Sequence, residues 1–279
     1  MGIEVIVWDF DGTVTKVDEE CIPFVAGYKD DFAKSLGIPI RVLSQFWNIK
    51  QKEVRDNPTQ HGWTVNRKIV APAYADPMVE CRTIADLLLL EHSEYMNDAK
   101  KRDEKLFGLY RKNYPNCLTV FKEDAAEAFI ASQAFAPTYV VTNSNTDAVQ
   151  EKIGKLAIDI SGVKVVGNAK KYALDDAWQD VPESVTFEGF GRPLYLRRKF
   201  YADILFQIMD ERNVTPEKVL VAGDIYELDL LLPQQLGMHI VLLPRDRTPD
   251  YERKAVSSYS RSVVLASPSD VVKYAKSIQ

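Results

Sequence analysis

Six short apolar runs punctuate the chain: Ile3 to Val7, Thr138 to Val141, Val163 to Val166, Val219 to Ala222, Ile240 to Leu243 and Ser262 to Ala266. Most are rich in β-branched residues, and none alternates cleanly with polar positions, which is the pattern of strands buried on both faces. After residue 118 these runs are separated by stretches with helical spacing, as at Tyr201, Ile204, Leu205 and Ile208. Strand and helix in alternation predict an α/β fold with a parallel, doubly wound, Rossmann-like sheet. Local punctuation agrees: Ser267 ahead of Pro268 is expected to cap the last helix, and Gly237 to end the short helix after Asp229.

The segment from 16 to 116 has a different texture. It has few β-branched runs, and its apolar spacing predicts one long helix from Pro77 to about Lys112 carrying Leu87, Leu88, Leu89 and Leu90. Four consecutive leucines cover more than one helix face, so this helix is expected to lie in the core of a second, mainly helical domain, with contact to another subunit as the alternative. Asn57 to Trp63 reads as a loop between helices. The expected organisation is therefore residues 1–15 with 117–279 as an α/β catalytic core, and 16–116 as a helical insert.

Chemistry gathers where the apolar runs stop. Asp9 and Asp11 follow the first run and lead into Gly12 and Thr13, so two carboxylates sit where a buried strand opens into a turn. In open α/β sheets ligands collect at these carboxyl ends. The second run ends in Thr142 and Asn143, whose hydroxyl and amide can bond a phosphate oxygen without adding charge. The run from Val219 ends in Gly223 and Asp224, with Asp229 five residues on, and Lys199 precedes Asp224 near the start of a helix. Four acidic groups in one crevice need a compensating cation or protonation. A site rich in carboxylates and without clustered His or Cys suits Mg2+, a hard ion that prefers oxygen ligands.

In this order the segments resemble the four motifs of the haloacid dehalogenase superfamily: Asp9 and Asp11 the first, Thr142 the second, Lys199 the third, and Asp224 with Asp229 the fourth. The stretch from Val166 to Lys199 is longer than is usual for that family, which leaves the basic residue of the third motif open among Arg197, Arg198 and Lys199. The insert between Thr15 and about Asn116 resembles the cap domain of many members. The resemblance implies Asp9 as nucleophile, Asp11 as general acid and base, and Thr142 and Lys199 on the phosphoryl group. It also implies metal ligation by Asp9, Asp11, Asp224 and Asp229, with Gly12, Thr13, Asn143 and Arg198 near the substrate. Asp11 is expected to be held protonated by a neighbouring carboxylate. The implied activity is a magnesium-dependent phosphatase acting on a small phosphorylated metabolite through an aspartyl-phosphate, under a closing cap. A phosphotransferase or mutase would use the same motifs, and a protein that only binds a phosphorylated ligand would keep the fold.

Composition narrows the partners. With 46% hydrophobic residues the 279-residue chain can bury a sizeable core, and a net charge of -5 disfavours nucleic acid and anionic membrane surfaces. No apolar run is long enough to span a bilayer, so a cytoplasmic monomer or homodimer is expected. The three cysteines lack zinc-site spacing and read as reduced structural thiols. Glu188 to Pro193 lacks the third glycine of a dinucleotide loop. The mixed charges from Asn168 to Arg198 read as a solvated face, with substrate-gripping arginines as the alternative.

Overall fold

The computed structural model describes residues 2–187 and 190–278. Glu188 and Gly189, part of the segment compared above with a dinucleotide loop, lie outside the described residues. The strands are β1 (Val5–Trp8), β2 (Gly62–Val65), β3 (Lys68–Pro72), β4 (Thr138–Val141), β5 (Val163–Val166), β6 (Ser184–Val185), β7 (Leu194–Tyr195), β8 (Val219–Gly223), β9 (His239–Leu242) and β10 (Ser262–Val264). Chain contacts divide the molecule into two units, Met1–Lys16 with Phe121–Gln279, and Val17–Val120.

In the first unit six strands form one parallel sheet in the order β10-β9-β8-β1-β4-β5. All six apolar runs of the sequence are strands of this sheet, with ends shifted by up to two residues. Alternate side chains supply two cores. Val5, Val7, Tyr139, Val141, Val219 and Val221 pack with Tyr201, Leu205 and Ile208 on one face. Ile6, Trp8, Val140, Leu220 and Ala222 pack with Phe129, Val149 and Val271 on the other. Burial on both faces is why these strands read as continuous apolar runs. β1 lies between β4 and β8, so the strand order reverses direction around it and a crevice opens at its carboxyl end.

The last helix is capped differently from expectation. Ser267 precedes helix Pro268–Ser277 but makes no side-chain cap bond. The Asp124 carboxylate does so instead, accepting from the Ser269 amide at 2.7 Å and from the Ser267 hydroxyl. Gly237 has φ +88° just beyond helix Leu231–Gln235, as the sequence predicts.

The second unit is mainly helical, built around Phe24, Tyr28, Phe32, Trp47, Ile84 and Leu89. The helix expected from Pro77 to Lys112 is two, Pro77–Leu90 and Ala99–Asn113. Asp98 starts the second by accepting from the Lys101 amide, which resets the chain after a turn. Of the four leucines only Leu89 is fully buried, and Leu90 faces outward. The expected loop at Asn57 to Trp63 runs into the hairpin β2–β3, whose turn residues Asn66 and Arg67 both have positive φ. The unit extends to Val120 rather than 116 because the Leu118 and Val120 amides bond Glu20. Cys21 and Cys117, distant in sequence, are neighbours here, and the hydrogen bond between them with burial holds the Cys21 thiol above its usual range.

Candidate active site

The carboxyl ends of β1, β4, β5 and β8 supply the carboxylates and the central lysine of the site. The Asp9 amide bonds Ala222 O at 2.8 Å, which carries the ladder one residue past β1 before the chain turns at Gly12, φ +88°. A Cβ at Gly12 would collide with Asp224 Oδ2, so glycine serves both the turn and the close approach of two strand ends.

Asp9, Asp224 and Asp229 are buried, and their oxygens gather within 4.8 Å of one another. Burial, then Asp229 and Asp224, push the Asp9 carboxyl well above the usual range, with Lys171 opposing them. Burial likewise lifts Asp224 to about 6 against the pull of Arg245. Asp229 is aimed by local geometry: Tyr226–Leu230 forms one π-helical turn, and the Ile225 amide bonds Asp229 Oδ2 at 3.0 Å. Gly223 lacks a Cβ where one would strike Asp229.

The base at the centre of the cluster is Lys171. Its Nζ donates to Asp9 Oδ1 at 2.7 Å and to Asp229 Oδ1 at 2.9 Å. Burial opposes its charge, but Asp229 and Asp9 outweigh that and hold its pKa above the ordinary lysine value. The loop after β5 delivers it through a contorted backbone, with Asn168 and Lys170 at φ 54° and 47°. That loop is zipped to the end of β4: Ala169 N bonds Thr142 O at 2.9 Å, and Lys171 N bonds Asn143 Oδ1 at 2.7 Å.

Lys199, the expected base, is not at the cluster. Its half-exposed Nζ pairs with Asp203 one helical turn on. Arg198 is fully buried but donates to the carbonyls of Lys171, at 2.5 Å, and Tyr195, so it braces the lysine loop rather than facing a substrate. Arg197 reaches the carbonyls of Val181 and Asp176. Arg192 is buried in a two-pronged pair with Glu227, at 2.6 and 2.9 Å. These arginines bond within the 168–198 segment and to Glu227, whereas Lys170 and Asp176 of the same segment are exposed. No local pattern singles out Lys171 in the sequence; it stands five residues after β5.

Thr13 is also corrected. Its hydroxyl is fully buried, 2.8 Å from Asp9 Oδ2 and 3.2 Å from Asp224 Oδ1, so it orients carboxylates. Thr142 is buried at the end of β4, its hydroxyl oxygen accepting from Ser144 N at 3.1 Å. Asp11 is partly exposed. Its partners are not another carboxylate, as expected, but Ser144 Oγ at 2.6 Å and Lys152 Nζ at 3.1 Å.

Two observations fit this cluster to a hard divalent cation: the donors are all carboxylate oxygens, and burial together with the neighbouring carboxylates raises both Asp9 and Asp224.

The family model described as haloacid dehalogenase-like hydrolase matches residues 3–237. No curated protein matches the chain in sequence. Among solved structures, the haloacid dehalogenase-type hydrolase YfnB of Bacillus subtilis, bound to magnesium, is similar at TM-score 0.55 and 13% identity, over 99% of each chain. A predicted phosphoglycolate phosphatase from Haemophilus somnus is similar at TM-score 0.52 and 16% identity, over 98% of this chain and 97% of that one. A phosphatase from Thermococcus onnurineus gives 0.50 and 13%, over 98% and 97%. At such identities the likeness is one of fold.

Proposed function

The chain belongs to the haloacid dehalogenase-like hydrolases, and from that premise we propose that it is a magnesium-dependent phosphatase of small phosphate esters. The observation that carries the reading is the pairing of a buried Asp9, held by Lys171 and Thr13, with a second, more accessible carboxylate at Asp11. Displacement of a halide needs no proton donor, whereas expulsion of an alkoxide from a phosphate ester does.

Asp9 attacks phosphorus and forms an aspartyl-phosphate, which divides one hard displacement into two easier ones. Asp11 gives a proton to the departing oxygen and later takes one from the water that hydrolyses the intermediate. Lys171 neutralises charge shared between Asp9 and the phosphoryl oxygens. Thr142 and Asn143 sit at the end of β4, where Asn143 also anchors the Lys171 backbone. Asp9, Asp224, Asp229 and the Asp11 carbonyl would hold the cation, which when bound neutralises the phosphoryl group and screens the carboxylates.

The test is inorganic phosphate release from a panel of small phosphate esters with and without Mg2+. We expect metal-dependent release that Asp9→Asn abolishes. Release that persists in Asp9→Asn, or its absence from every ester with folded protein, overturns the reading. Transfer of the phosphoryl group to an added alcohol in preference to water would mark a phosphotransferase.

A further inference from the structure

Arg245 follows β9 and reaches back to the cluster, where Nε lies 2.6 Å from Asp224 Oδ2. Its side chain is nine-tenths buried and that of Asp224 is more so. Its backbone is tied in a turn, the amide bonding Thr248 Oγ1 at 2.9 Å and the carbonyl accepting from the Thr248 amide at 3.0 Å. The guanidinium therefore projects from an anchored base, and nothing in the phosphatase chemistry above uses it.

The charges around Asp224 make the placement informative. Asp9 and Asp229 already share the Lys171 ammonium. The three carboxylates thus already face two cations of the chain itself, Lys171 and Arg245. Oδ2 is also the oxygen toward which the missing Cβ of Gly12 leaves room.

Resting on the phosphatase reading, we infer that Arg245 is a resident counter-cation of Asp224 that competes with the divalent ion for Oδ2 and sets how tightly the site takes metal. An ion ligated by Asp224 must displace the guanidinium from that oxygen or share it at a cost in repulsion, since two cations around one buried carboxylate interact strongly. Arg245 is on this view a positioning residue. It keeps the carboxylate oriented without metal, and it weakens metal binding when metal arrives. The chemistry that would release it is a hard divalent cation, aided by a phosphate dianion able to accept the freed guanidinium.

The experiment is direct Mn2+ binding, by electron paramagnetic resonance of the free ion and by calorimetry at pH 8, on the native protein, Arg245→Met, Arg245→Gln and Arg245→Lys. Arg245→Met and Arg245→Gln should bind Mn2+ at least about tenfold more tightly. Arg245→Lys, which keeps the charge, should stay within about threefold of native. Thermal melts establish that each variant is folded, and Arg245→Gln keeps a polar group should Arg245→Met fail to fold. Equal or weaker Mn2+ binding in a folded, uncharged variant overturns the inference and leaves the phosphatase reading intact. If neither native protein nor any variant binds Mn2+, the metal-dependent reading fails, and this inference with it.

Discussion

At the scale of the residue, the two lysines separate what the site uses from what it does not. Lys171 is buried and has two carboxylate partners, so Lys171→Met should lower kcat by about 10²–10³, the usual loss when a preorganised donor is removed from a reacting group. Lys199→Met removes an exposed pair with Asp203, and kcat and KM for the best ester should stay within about twofold of native. A steady-state comparison of the two variants decides the assignment, and equal losses would refute it. The aspartates were legible in the sequence because a buried strand followed by Asp and Gly has few other uses. The lysine was not, because a basic residue carries no periodicity and three others lay nearby. Its identity depends on a zipped pair of loops, with Asn143 holding the Lys171 amide, and such tertiary bonds leave no local pattern.

Among the elements, the last helix shows how far a cap can lie from the helix it serves. Asp124 precedes helix Ala125–Phe135 but spends its carboxylate on the start of helix Pro268–Ser277. Asp124→Ala should therefore destabilise the protein by about 1 kcal/mol, the ordinary value of an N-cap. Its burial raises the pKa, but the bonds from Ser267 and Ser269 more than offset this and hold it below the usual aspartate value. The folded state thus favours the carboxylate, so its contribution is complete above the ordinary pKa of about 3.9 and is lost as pH falls toward the depressed one. Chemical denaturation of native protein and Asp124→Asn between pH 5 and pH 3 should show the smaller loss in the variant. From sequence, Ser267 was the natural cap, since proximity in the chain is all that a sequence can offer. The break between Leu90 and Ala99 falls in the mainly polar stretch Glu91 to Asp98, where Asp98 caps the second helix.

For the whole molecule, the inserted unit leaves and re-enters the core at adjacent points. Thr15 and Phe121 form an antiparallel bridge on either side of it, and the faces of the sheet are filled by the core's own residues. A chain in which a short Gly-Ser linker joins Lys16 to Phe121 should fold, giving a cooperative melt and the circular dichroism of an α/β protein. An unfolded product would show that the core needs its insert. Within the core, the Arg192–Glu227 pair joins the 168–198 segment to the turn after β8, and Tyr251 also donates to Glu227. Arg192→Met should cost about 3–5 kcal/mol by stranding a buried charge, and Glu227→Leu added to it should recover much of that loss. Denaturant midpoints of the two variants test this. No described helix is long and apolar enough to cross a membrane.

The π-helical turn at Tyr226–Leu230 carries a consequence for how this sequence can change. A π turn contains one residue more than an α turn, so its excision leaves a helix that is locally more regular. Each residue advances about 100° around an α-helix, so losing Leu228 would swing Asp229 by about that angle and carry its carboxylate away from Lys171. Deletions here would smooth the backbone and silence the chemistry together. Lineages that keep the activity should keep Asp229 and tolerate conservative substitution at Leu228 far more readily than any change in the number of residues between Tyr226 and Leu230.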